Sequence, residues 1–187
     1  MKTMNRENKN PQNKKLSPVV YSLKSKSGFT LIELLIAIAI VGIIASVAFV
    51  ALDPLKRFRD ARDSTRFTDV TAILTAIKVD QVDNGGGYAS AISALDTGTI
   101  YMIGTGSAAC NATCDAPATS TSACVDLTSG SDDLVSGGYL AEIPVSPNGT
   151  GSWDDTYTGY TLRTEVNGSV TIAACESENV AAISVAR

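Results

Sequence analysis

The sequence predicts an α+β protein in which a long N-terminal α-helix, a lollipop stem, packs against a small antiparallel β-sheet head with a disulfide-stapled loop. Three features carry that prediction. Residues 29–52 are almost wholly apolar and lead into a segment, 53–84, whose apolar side chains recur at helical spacing until Asn84-Gly85-Gly86-Gly87 stops it. Near the C-terminus two β-like stretches flank Val166-Asn167-Gly168, and Asn-Gly between alternating runs is the strongest short hairpin signal. All four cysteines, Cys110, Cys114, Cys124 and Cys175, lie beyond the apolar run. A chain of 187 residues has room for one globular domain and an appended segment. The expected division is a polar leader, 1–28; an apolar helix, 29–52; its amphipathic continuation, 53–84; and a strand-rich exported head, 85–187.

Charge follows the same division. Residues 1–27 carry seven Lys and Arg against Glu7 alone, a net of +6, which leaves −10 of the total −4 to the rest of the chain. A basic segment kept in the cytoplasm and an acidic one exported fit that asymmetry, and the acidic part has no evident nucleic-acid site. The leader is rich in Lys, Asn and Ser, contains Pro11 and Pro18 and has no apolar period, so it is expected to be disordered and removed.

From Phe29 to Leu52 the only ionisable side chain is Glu33. A helix of that length covers roughly 36 Å at about 1.5 Å per residue, enough to cross a hydrocarbon core of about 30 Å. Lys24 and Lys26 mark its cytoplasmic side. A carboxylate in such a helix costs about 2.5–3.5 kcal/mol on insertion scales. The helix macrodipole returns only about 0.3–1 kcal/mol of this near the N-terminus. Glu33 therefore needs a partner. Gly42 and Ser46, four apart, with Ala39 before them, form a small-residue stripe that lets another helix approach closely. A conventional signal peptide cut after Ala48 or Ala51 is the alternative; the apolar run is longer than the usual core of about 7–15 residues, and Glu33 sits near its start.

Beyond Leu52, Asp53 and Pro54 can restart a helix as N-cap and first residue. Phe67, Val70, Leu74 and Ile77, joined by Ile73 and Phe58, form the predicted apolar face, and charges fill the others. The basic run Lys56, Arg57, Arg59, Arg62 and Arg66 is interleaved with Asp53, Asp60, Asp63 and Asp69, which reads as a solvated or inter-subunit face. Residues 88–138 are poor in bulky apolar side chains and rich in Ser, Thr, Ala and Gly, so a long loop held by sulfur is expected, with a short strand near Ile100–Ile103. Strands are predicted at Tyr157–Glu165 and Ser169–Cys175.

Four cysteines in an exported head read as two disulfides, with three pairings open; the favoured ones join Cys110 to Cys114 or Cys124 and tie one of that cluster to Cys175. A structural zinc site is the other reading, but the spacing matches no common finger or ribbon. Absence of histidine removes the commonest general base and most hydrolytic triads, so no enzymatic activity is expected. Asp132-Asp133 and Asp154-Asp155 are candidate calcium ligands in loops, without the EF-hand spacing, and solvated carboxylates are the simpler reading. Asn111-Ala112-Thr113, Asn148-Gly149-Thr150 and Asn167-Gly168-Ser169 fit the N-glycosylation sequon, a motif short enough to occur by chance. Trp153, Tyr139, Tyr157 and Tyr160 are read as core.

The phrase GFTLIELLIAIAIVGIIASVA, Gly28 to Ala48, closely resembles the class III signal of type IV pilins and pseudopilins. The resemblance implies cleavage between Gly28 and Phe29 by a prepilin peptidase, N-methylation of Phe29, and pairing of Glu33 with a neighbouring subunit's amine. It also implies passage through the inner membrane and the pilus assembly machinery into a homo-oligomeric helical filament. GGYLAEIPVSPN, 137–148, is similar to the segment before the last strands of such proteins. Many pilins carry a helix-loosening proline in the apolar segment; here Val50 stands there, and the first proline is Pro54. A subunit of a type IV pilus for adhesion, motility or DNA uptake is the first expectation, a type II secretion pseudopilin the second. Some of these pseudopilins hold calcium in a C-terminal loop. The rival of another class is a monomeric membrane-anchored binding module.

Overall fold

The computed structural model describes residues 28–112, 114, 117–130 and 133–187; residues 1–27, with Lys24 and Lys26, and also Thr113 and Asp132, lie outside the described residues. The chain divides into two units, Met1–Ala48 and Phe49–Arg187. Helix α1, Leu31–Leu52, contains no buried residue. Every large apolar side chain along it faces outward, from Leu31 at 82 % exposed to Leu52 at 63 %.

Helix α2, Pro54–Asp83, begins anew. Asp53 takes the left-handed conformation, φ 37° and ψ 73°, and its carboxylate accepts from Lys56 N, while Pro54 stands where no N–H is needed. The helical stretch expected from Phe29 to Asn84 is therefore interrupted at Asp53, as the Asp-Pro pair allows. At the far end Gly85 and Gly86 have φ 67° and 100°, and Gly86 N donates to Gln81 O. Buried Asp80 is satisfied there by Asn84 Nδ2 at 2.8 Å and Ala89 N at 3.1 Å.

A short helix, α3, Ser90–Ser93, follows. The antiparallel sheet has the order β1 (Ile100–Met102), β2 (Tyr160–Thr164), β3 (Val170–Ala174), β4 (Ser184–Ala186). In the β2–β3 hairpin Thr164 faces Val170, and Glu165 N bonds Ser169 O across the turn. Gly168 supplies the left-handed residue of that turn, φ 79°. Strand β2 is shorter than predicted because Gly159 turns the chain at φ 78°, and a Cβ there would lie 2.6 Å from Trp153. Strand β4 was not foreseen: three residues with an exposed-intermediate-exposed pattern carry almost no periodic signal.

Alternate residues of the strands pack on α2. Tyr160 and Leu162 from β2, Val170, Ile172 and Ala174 from β3, and Ile183 before β4 meet Val70, Ile73, Leu74 and Ile77. Phe58 and Phe67 are 64 % and 55 % exposed, against their predicted place on that face. At about 100° per residue each lies roughly a quarter-turn from the line through Val70, Ile73 and Ile77. A second correction concerns residues 88–138. Ile92, Ile103, Val125, Leu127 and Leu134 are all buried in the same core, so the segment is held by packing as well as by sulfur. Tyr160 is fully buried and donates to Asp69 Oδ2 at 2.5 Å, whereas Trp153 and Tyr157 are half-buried against the cysteine cluster and Tyr139 against the main core. Burial pushes the Asp69 carboxyl up, the Tyr160 hydrogen bond opposing it only in part.

Candidate functional site

The first candidate site is the start of α1. Gly28, Phe29 and Thr30 precede the helix and are exposed. Thr30 Oγ1 accepts from Glu33 N at 3.2 Å, while Glu33 Oε2 accepts from Thr30 N and Thr30 Oγ1, both at 2.9 Å. This is a reciprocal capping box in the Thr-x-x-Glu spacing, which satisfies two amides that the first turn would otherwise leave open. Thr30 went unnoticed in the sequence reading, although that spacing is legible in Thr30-Leu31-Ile32-Glu33. The cap gives Glu33 a local reason to be there, yet polar bonds to threonine do not neutralise its charge.

Along α1 a Cβ added at Gly42 would meet nothing within 4 Å. Ser46 Oγ donates to Ile43 O at 2.8 Å, so the stripe it shares with Gly42 and Ala39 presents no unsatisfied hydroxyl proton. With 22 residues α1 covers about 33 Å and is long and apolar enough to cross a membrane.

In the head the functional geometry is a clasp of charges between α2 and residues 176–179. Arg66 is fully buried, and all five of its N–H donors have acceptors. Nη1 reaches Asp63 Oδ1 at 2.9 Å and Glu178 Oε1 at 3.0 Å; Nη2 reaches Glu176 Oε2 at 2.7 Å and Pro147 O at 2.9 Å; Nε reaches Ser146 Oγ at 3.1 Å. Arg62 Nε adds a bond to Glu178 at 2.6 Å. Asp63 also accepts from Glu178 N at 3.0 Å and Asn179 N at 2.8 Å. Hydrogen bonds from Arg62, then Arg66, outweigh burial and hold the Glu178 carboxyl down at about 2. Burial of Glu176 acts to raise its pKa but is overcome by the Gly151 amide, the Thr150 hydroxyl and the Arg66 charge, so Glu176 too lies below the usual range.

The clasp corrects the expected solvated charge face. Arg62 and Arg66 are committed to carboxylates of the same chain. The signal was available, because Asp63 and Arg66 fall on the helix face of Val70, Ile73 and Ile77, three, four and seven residues apart along it. What the sequence lacked was the partner, more than 100 residues away.

The same unit holds two disulfides, Cys110–Cys124 and Cys114–Cys175, and no cysteine is free, which leaves no thiolate for zinc. The second ties the 110–124 loop to the residue before Glu176. Among the described residues no group of three or more acidic, His or Cys side chains could hold a metal ion. Asp133 is used in its own turn by Val135 N and Ser136 N, and Asp154 by Thr156 N and Tyr157 N.

Residues 23–49 match the model of the prokaryotic N-terminal methylation motif. No curated protein and no solved structure matches the chain. The motif ends within α1, so the capped first turn and the outward-facing apolar helix are the geometry of the matched segment. The class III signal implies prepilin peptidase processing and pilus-type assembly in general, and with the apolar helix it points to membrane anchoring. The chain thus carries at residues 23–49 the signature of type IV pilins and pseudopilins, and its remaining described part is an α+β unit with a four-stranded antiparallel sheet and two disulfides.

Proposed function

We propose that this chain is a structural subunit of a type IV pilus. It is inserted in the cytoplasmic membrane, cut between Gly28 and Phe29, methylated on Phe29, and packed through its N-terminal helix into an extracellular filament. The supporting observation is that α1 buries none of its 22 residues within the chain although nearly all are apolar. A membrane covers that surface before assembly, and the same helix of other subunits covers it afterwards.

Glu33 is the assembly residue in this reading. Cleavage creates the Phe29 amine, a cation able to offset a carboxylate whose insertion costs about 2.5–3.5 kcal/mol. Pairing across subunits would fix the axial register of packed helices. Glu33→Gln retains the capping box, because Gln serves at that position as well as Glu, and removes only the charge. The variant is expected to be processed and membrane-resident with a folded head, yet to add to filaments about tenfold more weakly at each step, a deficit of about 1.4 kcal/mol per subunit, so that filaments are fewer and shorter than wild-type. Filaments of normal number and length from Glu33→Gln as the only copy would contradict the assembly role. Short periplasmic filaments instead of long surface ones would assign the chain to a type II secretion pseudopilus.

A further inference from the structure

We infer that Asn167, at the tip of the β2–β3 hairpin, is an N-linked glycosylation site accepting a sugar from a lipid diphosphate donor. The three sequons are chemically alike in sequence but differ in the fold. Asn167 is exposed and stands beside Val166, which is 94 % exposed. Its Oδ1 accepts from Ser169 N at 3.0 Å and from Ser169 Oγ at 2.8 Å, while its Nδ2 makes no hydrogen bond to the described residues. The turn is held by Gly168 N on Glu165 O at 2.9 Å and by Tyr88 OH on Gly168 O at 2.6 Å.

An amide nitrogen is a poor nucleophile because its lone pair is shared with the carbonyl. Loss of an Nδ2 proton to a base of the transferase moves negative charge onto Oδ1, where the two Ser169 donors already sit. Nδ2 then bonds to the anomeric carbon of the sugar, the bond from that carbon to the phosphate oxygen breaks, and the lipid diphosphate leaves with the electron pair. The sequon hydroxyl and the amide it serves are thus pre-arranged in one turn.

Asn148 lacks this arrangement. Its Oδ1 accepts from Trp153 N at 2.8 Å, and Thr150 Oγ1 is turned away to Glu176 Oε1 at 2.8 Å, within the clasp. Asn111 sits in the Cys110–Ala112 turn beside a disulfide, and its Thr113 lies outside the described residues.

The inference rests on export of the head in the reading above. Processed protein recovered from its own cells should show, on the peptide containing Asn167, a mass increment of one or more sugar residues. Asn167→Asp keeps the acceptor oxygen of the turn, so the hairpin should fold, and the increment should vanish. Ser169→Ala should abolish it as well, and Ser169→Thr should retain it. An unmodified Asn167, the small mass gain of deamidation alone, or a glycan on Asn148 instead would overturn the inference. Because the same spectra report the N-terminus, correct processing with a bare Asn167 refutes this site and leaves the pilin reading standing.

Discussion

Arg66→Met should lower the stability of the head by about 3–5 kcal/mol, the usual cost of removing one partner from a buried ion-pair network. Methionine matches the length of the arginine stem but offers no donor. Asp63, Glu176 and Glu178 would then face one another with side chains 7 %, 8 % and 14 % exposed and without their shared cation. Arg66→Lys should recover only part of the loss, because one ammonium cannot reproduce a planar fork that serves five acceptors. Urea unfolding of the detergent-solubilised protein, followed by Trp153 fluorescence, measures both. The pH dependence adds a signature. Glu178 has a folded-state pKa of about 2 against an ordinary 4.5, so its stabilisation is fully present above about 4.5 and is lost as the pH falls toward 2. The wild-type midpoint should fall across that window, and Arg66→Met, in which Arg62 still bonds Glu178, should fall by less because only the Arg66 share of the effect is gone. A variant as stable as wild-type would show that the clasp contributes nothing.

Replacing Cys114 and Cys175 together by serine should cost about 4 kcal/mol, and replacing Cys110 and Cys124 about 3 kcal/mol, from the loop lengths closed. The separations are 61 and 14 residues, so the long-range bridge constrains the unfolded chain more. Its loss should also loosen residues 176–179, since Cys175 adjoins Glu176. Hydrogen exchange of the Glu178 and Asn179 amides, which donate to Asp63, reads that loosening directly. Equal stability of the two double variants would contradict the ordering.

Sequence periodicity disclosed the stem and the hairpin because each is a local pattern. Val70, Ile73, Leu74 and Ile77 repeat at helical spacing, and Asn167-Gly168 can turn between two alternating runs without help from elsewhere. Asp53-Pro54 was readable as a restart for the same reason. Phe67 misled because its hydrophobicity outweighed its phase: only the positions of its neighbours show that it lies off the sheet-facing line. Ile92, Ile103, Val125, Leu127 and Leu134 were hidden by the Ser, Thr and Gly between them, since a core built from single side chains on irregular backbone has no period. The clasp was half visible. Asp63 and Arg66 on the apolar face signalled a buried pair, whereas Glu176 and Glu178 join them only through the three-dimensional path of the chain. At the N-terminus the motif that contains Gly28, Phe29 and Glu33 was legible as a local pattern, and Thr30 only once its role as a cap was seen.

The measurement that tests the central claim most directly is the N-terminal residue and intact mass of the protein recovered from cells. Processing between Gly28 and Phe29 predicts a chain beginning at N-methylated Phe29 and lacking residues 1–28. In the proposed reading Gly28→Val should leave the precursor uncut, since it replaces the small residue at the exposed junction. A mature chain that begins after Ala48 or Ala51 would contradict the account, since it would discard α1 with Glu33 and return the segment to an ordinary signal peptide.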